Sequence, residues 1–571
     1  ATTLAVFVPL LFWPGVVGEF MKYLPATVII CLLASLAMAL VFLPTMGGVS
    51  RHRPRYVRPV TVPGLELYRA VLSRLLRRPG LTLAGTLAII ALLYAAYARF
   101  NHGVEFFPDI EPDSAQLQVR ARGDLSVYEK DAILREVERR LQGLTEVKAL
   151  YARSFAMPDN QMGTDVIGVL QFQFTDWHRR RPASAIKETV TGLTRDIPGV
   201  VLEFREQQMG PGAGKPVELR VSGTDERALS EATERIRAAM QALGGFADIE
   251  DNRTLPGIEW RIQVDREAAA RLGADVLSVG NAVQLVTNGL KLASYRPEDA
   301  SDEVDIRVRL PQSWRSLDQL SRLTLNTHRG QVPLSHFVTL SPAPKIGTLH
   351  RVDGRRTITI QADIAEGYRL DERLAVLAGS GIELPAGVGL VVAGEDADQR
   401  EAARFLTTAF LVALFLMTLI LVTQFNSLYQ TALVLSAIVF STAGVLMGLL
   451  LNGQSFGIVM VGMGIIALAG IVVNNNIILI DTYNQLRGEG LPPFEAALET
   501  GCLRLRPVLL TAVTTVLGLM PMVLGVNVDL LAPSLGLGAP STQWWTQLSS
   551  AIAGGLSFAT LLTLLLTPCM L

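Results

Sequence analysis

The chain has 571 residues, of which 50 % are hydrophobic and only 18 % charged, with a mean hydropathy of +0.34; soluble proteins carry roughly 25 % charged residues, which argues against an ordinary cytoplasmic enzyme. Formal net charge is −1, so there is no global case for binding nucleic acid by phosphate neutralisation. The three cysteines, Cys31, Cys502 and Cys569, lie outside the charged middle of the chain, which therefore has no disulfide framework and no cysteine-based metal site.

A helix rises about 1.5 Å per residue, so roughly 20 apolar residues cross a hydrocarbon core of about 30 Å. Two apolar stretches open the chain, residues 1–14, already truncated, and 27–43, and together they define a first membrane unit over 1–45. A linker over 46–80 follows, read as basic with an amphipathic helix. It holds Arg51, Arg53, Arg55, Arg58, Arg69, Arg74, Arg77 and Arg78 against a single acid, Glu66. The positive-inside rule places this linker in the cytoplasm. The next span is 81–97, within a unit drawn at 81–98.

Most of the Asp, Glu, Lys and Arg side chains then fall between Arg99 and Ala402. From residue 116 the pattern reads strand 116–121, helix 126–141, strand 147–155, strand 166–174, helix 183–193, strand 200–207. That order is the split βαβ, ferredoxin-like sandwich, here bounded at 99–215. A second copy starts with strand 216–222 and helix 226–243 and resumes at 357–363, giving a sandwich over 216–265 and 346–396 interrupted by an insertion at 266–345. Alternation puts Leu170, Phe172 and Phe174 on one face and Gln171 and Gln173 on the other. The aromatic face reads as core; the opposite face, with Tyr151, Arg153 and Phe155 on a neighbouring strand, is a candidate cleft lining.

Five more spans complete the chain over 397–571: 403–425, 428–451, 456–481, 506–525 and 544–566. The loop 526–543 contains Asp529 and no Lys or Arg, so it belongs on the outer side, with Trp544 and Trp545 at the interface. Counting spans places the charged domain outside as well. The fold class is thus an α-helical transmembrane bundle of eight spans plus a large α+β extracytoplasmic domain of two ferredoxin-like sandwiches. The first span, with Thr2-Thr3-Leu4 and Pro9, resembles the seventh, with Thr514-Thr515-Val516 and Pro521; internal repetition is a transporter signature, chance similarity of apolar helices is the alternative, and a real repeat predicts that this chain is the C-terminal part of a larger protein.

Polar side chains at membrane depth are costly and mark function by default. Asn474 and Asp481 are seven residues apart and share a helix face, as do Arg504 and Thr511. Because the two helices are antiparallel, Asp481 falls level with Arg504 near the cytoplasm and Asn474 level with Thr511 deeper in. The alternative is that these residues are interhelical glue worth about 0.6 to 2 kcal/mol.

Several stretches together resemble the resistance-nodulation-division (RND) transporters, in the hydrophobe/amphiphile efflux branch: Val104-Glu105-Phe106-Phe107-Pro108-Asp109, Asp176-Trp177, residues 470–481, and Arg504 through Thr511. The resemblance implies a proton-driven secondary antiporter, not an enzyme, with no cofactor beyond the proton gradient. It also implies a homotrimer in the inner membrane of a Gram-negative bacterium, with residues 99–402 in the periplasm, working with a periplasmic adaptor protein and an outer-membrane channel. The sandwiches become porter subdomains and the insertion part of a docking domain. Asn474, Asp481, Arg504 and Thr511 become the proton relay, with Asn474 at a position where the family carries lysine. The substrate pocket becomes Tyr151, Arg153, Phe155 and Gln171 with Met157 and Met162 of the adjoining loop, taking a small amphiphile. Two rival readings are a heavy-metal (Cu/Zn) exporter, to which Met157, Met162 and Met209 would contribute thioethers, and a non-pumping accessory or sensor subunit.

Overall fold

The computed structural model describes residues 2–49, 64–108, 110–122, 125–155, 163, 165–206, 214–298, 302–345, 347–365, 367–529 and 534–571. The chain opens on a short helix α1 (Thr2–Phe7) and a 3-10 turn (Pro9–Phe12). Pro9 has no N–H to continue the helical ladder, and Pro14 follows two residues after the turn. The stretch read as a first span is therefore a short apolar helix, and among the described residues seven helices, not eight, are long and apolar enough to cross a membrane.

The first of these covers Gly15–Gly47 and includes helix α2 (Tyr23–Ala37). Helix α3 (Leu65–Leu76) carries basic residues and ends beside Arg78, whose backbone leaves the helical region; α4 (Pro79–Phe100) then starts with proline at its first position, where the missing N–H costs nothing. A two-residue strand β1 (Val104–Glu105) leads into the strand-rich region.

There β2 (Ser114–Ala121), α5 (Val127–Leu141), β3 (Val147–Ser154), β4 (Val166–Phe174), α6 (Ala183–Thr194) and β5 (Val200–Glu206) form one sheet in the order β3-β4-β2-β5, all neighbours antiparallel. Ser126 begins α5 with a capping box: its hydroxyl accepts from the Glu129 N–H while the Glu129 carboxylate accepts from the Ser126 N–H. Leu117, Val119, Leu170, Phe172 and Phe204 pack beneath Leu134, Val137, Leu141, Ile186 and Val190 of the two helices.

The second sandwich contains β6 (Val217–Gly223), α7 (Glu226–Leu243) and β7 (Phe246–Asp251), then, after the insertion, β8 (Arg355–Ile364), α8 (Leu370–Gly379) and β9 (Gly389–Ala393). Strand β6 sits between β8 and β9, and β7 pairs with the outer side of β8, the same order as in the first sheet. Its core is separate, built on Leu219, Val221, Leu229, Ile236, Met240 and Ile360. Among the described residues the insertion carries antiparallel ladders of 290–295 with 304–308 and 324–327 with 330–333, and a third, 258–264 with 338–344, closes its base.

Helix α9 (Glu395–Phe425) follows β9 after a single residue, Gly394, so the sandwich sheet and a membrane-length helix are joined almost without a loop. The remaining helices are α10 (Leu428–Leu451), α11 (Ile458–Gly488), α12 (Pro493–Val523) and α13 (Pro540–Leu565). Helix α12 begins 13 residues before the apolar stretch read from the sequence, because its first three turns are charged. Helices α10, α11 and α13 are buried over most of their apolar length, while α4 and α12 are largely exposed. Glycines close the contact between α10 and α13: a Cβ on Gly448 would lie 2.8 Å from the Ser550 carbonyl oxygen and 3.1 Å from Gly554 Cα.

Candidate functional site

Each residue along an α-helix turns by about 100°, so the three consecutive asparagines of α11 point in three directions. Asn476 is fully buried, and its Oδ1 accepts a hydrogen bond from Thr567 Oγ1 at 3.1 Å while its Nδ2 has no partner among the described residues. Asn475 is also buried. Asn474, the residue singled out from the sequence, is exposed, together with Ile478 and Asp481 one and two turns along the same face.

The expected pairing of Asp481 with Arg504 is not among the ion pairs of the described residues. Thr482 is buried toward α12, which turns Asp481 away by one helical step. Arg504 is half-buried, and its Nε donates to Thr482 Oγ1 at 2.6 Å; Thr482 in turn donates to the Ile478 carbonyl at 2.8 Å. Thr511 donates to the Val508 carbonyl of its own helix at 3.0 Å, and among the described residues no hydrogen bond joins it to Asn474. The structure thus brings Arg504 to α11 and leaves Asn474, Asp481 and Thr511 facing outward. Thr482 was missed because a threonine beside an aspartate carries the weaker chemical signal; the helical phase set by buried Leu479 and Tyr483 would have found it.

In the first sandwich the register lays side chains in rows across the face away from α5 and α6. One row is Tyr151, Gln171, Gln116, Arg205; the next is Arg153, Val169, Gln118, Glu203. Tyr151 and Gln171 are therefore cross-strand neighbours, both exposed. Phe155 is buried against Val166 and Val169, and the Arg153 guanidinium lies 4.7 Å from its ring centroid, within cation-π range. Met157 and Met162, and the rival Met209, lie outside the described residues.

The strongest electrostatic feature of this face is one that the sequence reading passed over. Arg120, next in the line of Gln116 and Gln118, is 9 % exposed, and the carboxylates around it, Asp165 and Glu203, are each 3 % exposed. Its Nε and Nη2 donate to Asp165 Oδ2 at 2.9 and 2.7 Å, its Nη1 donates to Glu203 Oε1, and Nη2 also reaches the Arg253 carbonyl at 2.7 Å. Asp165 Oδ2 further accepts from the Leu255 N–H at 3.0 Å. Because Arg253 and Leu255 follow β7, this cluster ties the two sandwiches together. Lys187 of α6 does the same with Asp248 at 2.6 Å and Asp363 at 2.9 Å.

Glu250 borders the same seam with Lys215 at 2.7 Å; burial, and then the charge of Glu203, hold its carboxyl above the usual range. Two oxygens here, Asp165 Oδ1 and Glu250 Oε2, are buried without a hydrogen-bond partner among the described residues. Among the described residues no three His, Cys, Asp or Glu side chains converge as a ready-made metal site. Chemically, the seam is a set of desolvated carboxylates whose counter-cations are the protein's own arginines and lysines. Between α11 and α12 the bundle offers the amides of Asn474 to Asn476, the hydroxyls of Thr482 and Thr511, the guanidinium of Arg504 and the outward-facing carboxylate of Asp481.

The chain spans about half the length of the curated relatives it matches. It is 26 % identical over 593 aligned residues to the cobalt-zinc-cadmium resistance protein CzcA of Cupriavidus metallidurans, covering 99 % of this chain and 54 % of that protein. It is 26 % identical to the nickel and cobalt resistance protein CnrA of the same organism, over 99 % and 53 %, and 28 % identical to the protein HelA of Legionella pneumophila, over 99 % and 54 %. Among solved structures, a crystal structure of a heavy metal efflux pump, crystal form I, superposes with a TM-score of 0.79 at 23 % identity, covering all of this chain and 57 % of that one. The sequence also matches, from residue 1 to residue 571, the family described as AcrB/AcrD/AcrF. Seven membrane-length helices, paired split-βαβ sheets and a match along the entire sequence lead to one conclusion: this chain belongs to the AcrB/AcrD/AcrF family of the RND superfamily.

Proposed function

We propose that the chain forms about half of a secondary transporter that exports heavy-metal cations against a proton gradient. The similarity to CzcA along 99 % of the chain carries this reading. It takes precedence over the amphiphile expected from the sequence, because CnrA is named for nickel and cobalt resistance and the structurally similar protein for heavy-metal efflux. The chemistry of the seam is compatible with it. The seam carboxylates, although no three of them converge among the described residues, supply oxygen atoms of the kind divalent cations take, and Asp165 Oδ1 and Glu250 Oε2 have no hydrogen-bond partner among the described residues. A cation entering there competes with Arg120, so binding is an exchange in which the guanidinium gives up a carboxylate.

Energy coupling falls to the bundle. Asn474 and Asp481 share an exposed face of α11, and polar groups at membrane depth are stable only against protein or water. We take that face to be covered in the whole transporter by the part of the longer relatives that this chain does not span. Arg504, held by Thr482, supplies the fixed positive charge where the family resemblance calls for a lysine at Asn474. The remainder of the reading follows the family: an inner-membrane homotrimer, the sandwiches and insertion outside as porter and docking parts, and an adaptor and an outer-membrane channel as partners.

The test is transport by the full-length protein in vesicles with an imposed pH gradient, scored for zinc or cobalt and, separately, for an amphiphilic dye. Metal movement that Glu203→Gln reduces at least about tenfold is the expected result. Dye movement without metal movement would return the amphiphile reading, with Arg153 and Tyr151 as its contacts. Movement of neither, in a correctly inserted protein, would favour an accessory or sensing subunit. Asn474→Leu tests the coupling face in the same assay: abolished transport is expected, and unchanged transport would reduce Asn474 to packing.

A further inference from the structure

Helix α3 has two faces of different character. Leu72 is fully buried and Tyr68 half-buried, both against α12, where a Cβ on Gly501 would lie 2.6 Å from Leu72 Cδ2 and 2.7 Å from the Tyr68 hydroxyl. The Tyr68 hydroxyl donates to the Leu564 carbonyl of α13 at 2.8 Å. These contacts fix the helix rotation. A flank of the helix then shows Leu67, Val71 and Arg74, spaced by four and three residues along one stripe, all exposed, with Leu67 at 71 %, and exposed Arg77 and Arg78 follow directly at the helix end.

The position of this stripe in depth follows from connectivity. Arg77 and Arg78 are the only residues between the end of α3 and the first residue of α4, a membrane-length helix beginning at Pro79. The basic end of α3 therefore sits where α4 enters the bilayer. Some exposed arginines of the chain are matched by acids close at hand, as Arg135 is by Asp131 and Arg139 by Glu136, and on α3 itself Arg69 reaches Glu499 at 3.4 Å. Arg74, Arg77 and Arg78 take part in no ion pair among the described residues.

We propose that this outward stripe of α3 is a docking surface for the acidic headgroups of an anionic membrane leaflet. Leu67 and Val71 lie in the boundary between headgroups and acyl chains, and Arg74, Arg77 and Arg78 contact the phosphates. Charge complementarity and continuity with α4 select this occupant. A soluble acidic partner would not use Leu67 and Val71 at the depth where a spanning helix begins, and a neutral leaflet would leave three guanidinium groups without counter-charge. The inference rests on α4 crossing the membrane and is independent of what the transporter carries.

The experiment uses the full-length transporter, reconstituted in vesicles of equal phosphatidylglycerol and phosphatidylcholine and re-extracted in mild detergent, with the retained lipids counted by mass spectrometry. The triple variant R74Q/R77Q/R78Q should retain about threefold less phosphatidylglycerol per protein with phosphatidylcholine unchanged, while R135Q/R139Q on α5 should match the parent. Should the triple variant insert poorly, the unaltered protein answers the same question: raising the salt during extraction should strip phosphatidylglycerol and spare phosphatidylcholine. Equal phosphatidylglycerol retention by parent and triple variant, or parallel loss of both lipids with salt, would overturn the proposal.

Discussion

Two regions of this chain bury polar groups, and they do so by different means. In the seam between the sandwiches the buried groups are ionisable, and Arg120, Lys187 and Arg253 each meet two acidic side chains. In the membrane bundle they are neutral for the most part and joined by single hydrogen bonds, Asn476 to Thr567 and Arg504 to Thr482. The difference follows the cost of desolvation. Near water a buried charge is offset by close counter-charges and backbone dipoles, whereas at membrane depth even a paired charge is expensive. The seam should therefore fail when a charge loses its partner, and the bundle when packing or one hydrogen bond is lost.

The largest effect should come from Arg120→Ala, which leaves Asp165 and Glu203 buried and uncompensated. Removing one member of a buried ion cluster costs about 3–5 kcal/mol, read as earlier denaturant unfolding of the strand-rich region. Arg120→Lys should recover only part of this, since one ammonium cannot present two donors to Asp165 and a third to Glu203 in a fixed plane. Replacing all three residues with apolar ones of similar volume should be far milder than Arg120→Ala alone. A cost for the single variant as small as that of a surface pair, about 0–1 kcal/mol, would erase the distinction drawn between seam and bundle.

For the bundle the corresponding change is steric. Gly448→Val drives a side chain into the Ser550 carbonyl and Gly554 Cα, both backbone, so α10 and α13 must separate. Overpacking of this kind costs about 1–3 kcal/mol, measured as lower thermal stability of the detergent-solubilised protein. Gly518→Val on α12, where nothing lies within 4 Å of an added Cβ, is the matched control and should leave that stability nearly unchanged.

How much of this was legible beforehand depended on whether the information was local. The strands of the first sandwich follow from alternation, as at Leu170 to Phe174, and the capping box at Ser126 marks the start of α5. Strand β7 had no such mark: it follows two glycines at positive φ, Gly244 and Gly245, and pairs with a strand more than 100 residues later, across the insertion. The seam was hidden for the same reason, because Arg120, Asp165, Glu203 and Leu255 are joined only by the fold. Along α11 the spacing of Asn474 and Asp481 gave a shared face correctly but not its direction. That is set by Thr482, Leu479 and Tyr483, whose burial turns the Asn474 face outward. The start of α12 was missed because Glu495, Glu499, Arg504 and Arg506 break the apolar run without breaking the helix.

A smaller effect separates the hydrogen bond of the bundle from its packing. Thr482→Val keeps shape and removes the acceptor for Arg504 Nε, which should cost about 0.5–1.5 kcal/mol in stability. Transport should fall more than that stability change explains, and Thr482→Ser should restore it. Equal behaviour of valine and serine would show that Arg504 finds another acceptor and that its contact with α11 is incidental.

The smallest effect is a pH dependence that the seam should show and the bundle should not. Burial and then the Glu203 charge raise the Glu250 carboxyl above its ordinary value, against the opposing pull of Lys215. A carboxyl raised in the folded state favours folding when protonated, so its contribution grows as the pH falls from neutrality through the folded value and is complete near the ordinary value of 4.5. Asp251 behaves in the opposite sense. Burial alone would raise it, but the hydrogen bonds and charge of Arg253, with Arg237 beside it, hold it below its ordinary value of 3.8, so its stabilisation is present at neutral pH and lost in acid below that point. Unfolding of the strand-rich region followed from pH 7 to pH 3 should therefore pass through a shallow maximum. Glu250→Gln should flatten the neutral side and leave the acid loss, while Asp251→Asn should soften the acid loss and leave the neutral side. A maximum of the same shape in the helical unfolding signal would mean that the two regions unfold as one, and the contrast in stability between seam and bundle would no longer hold.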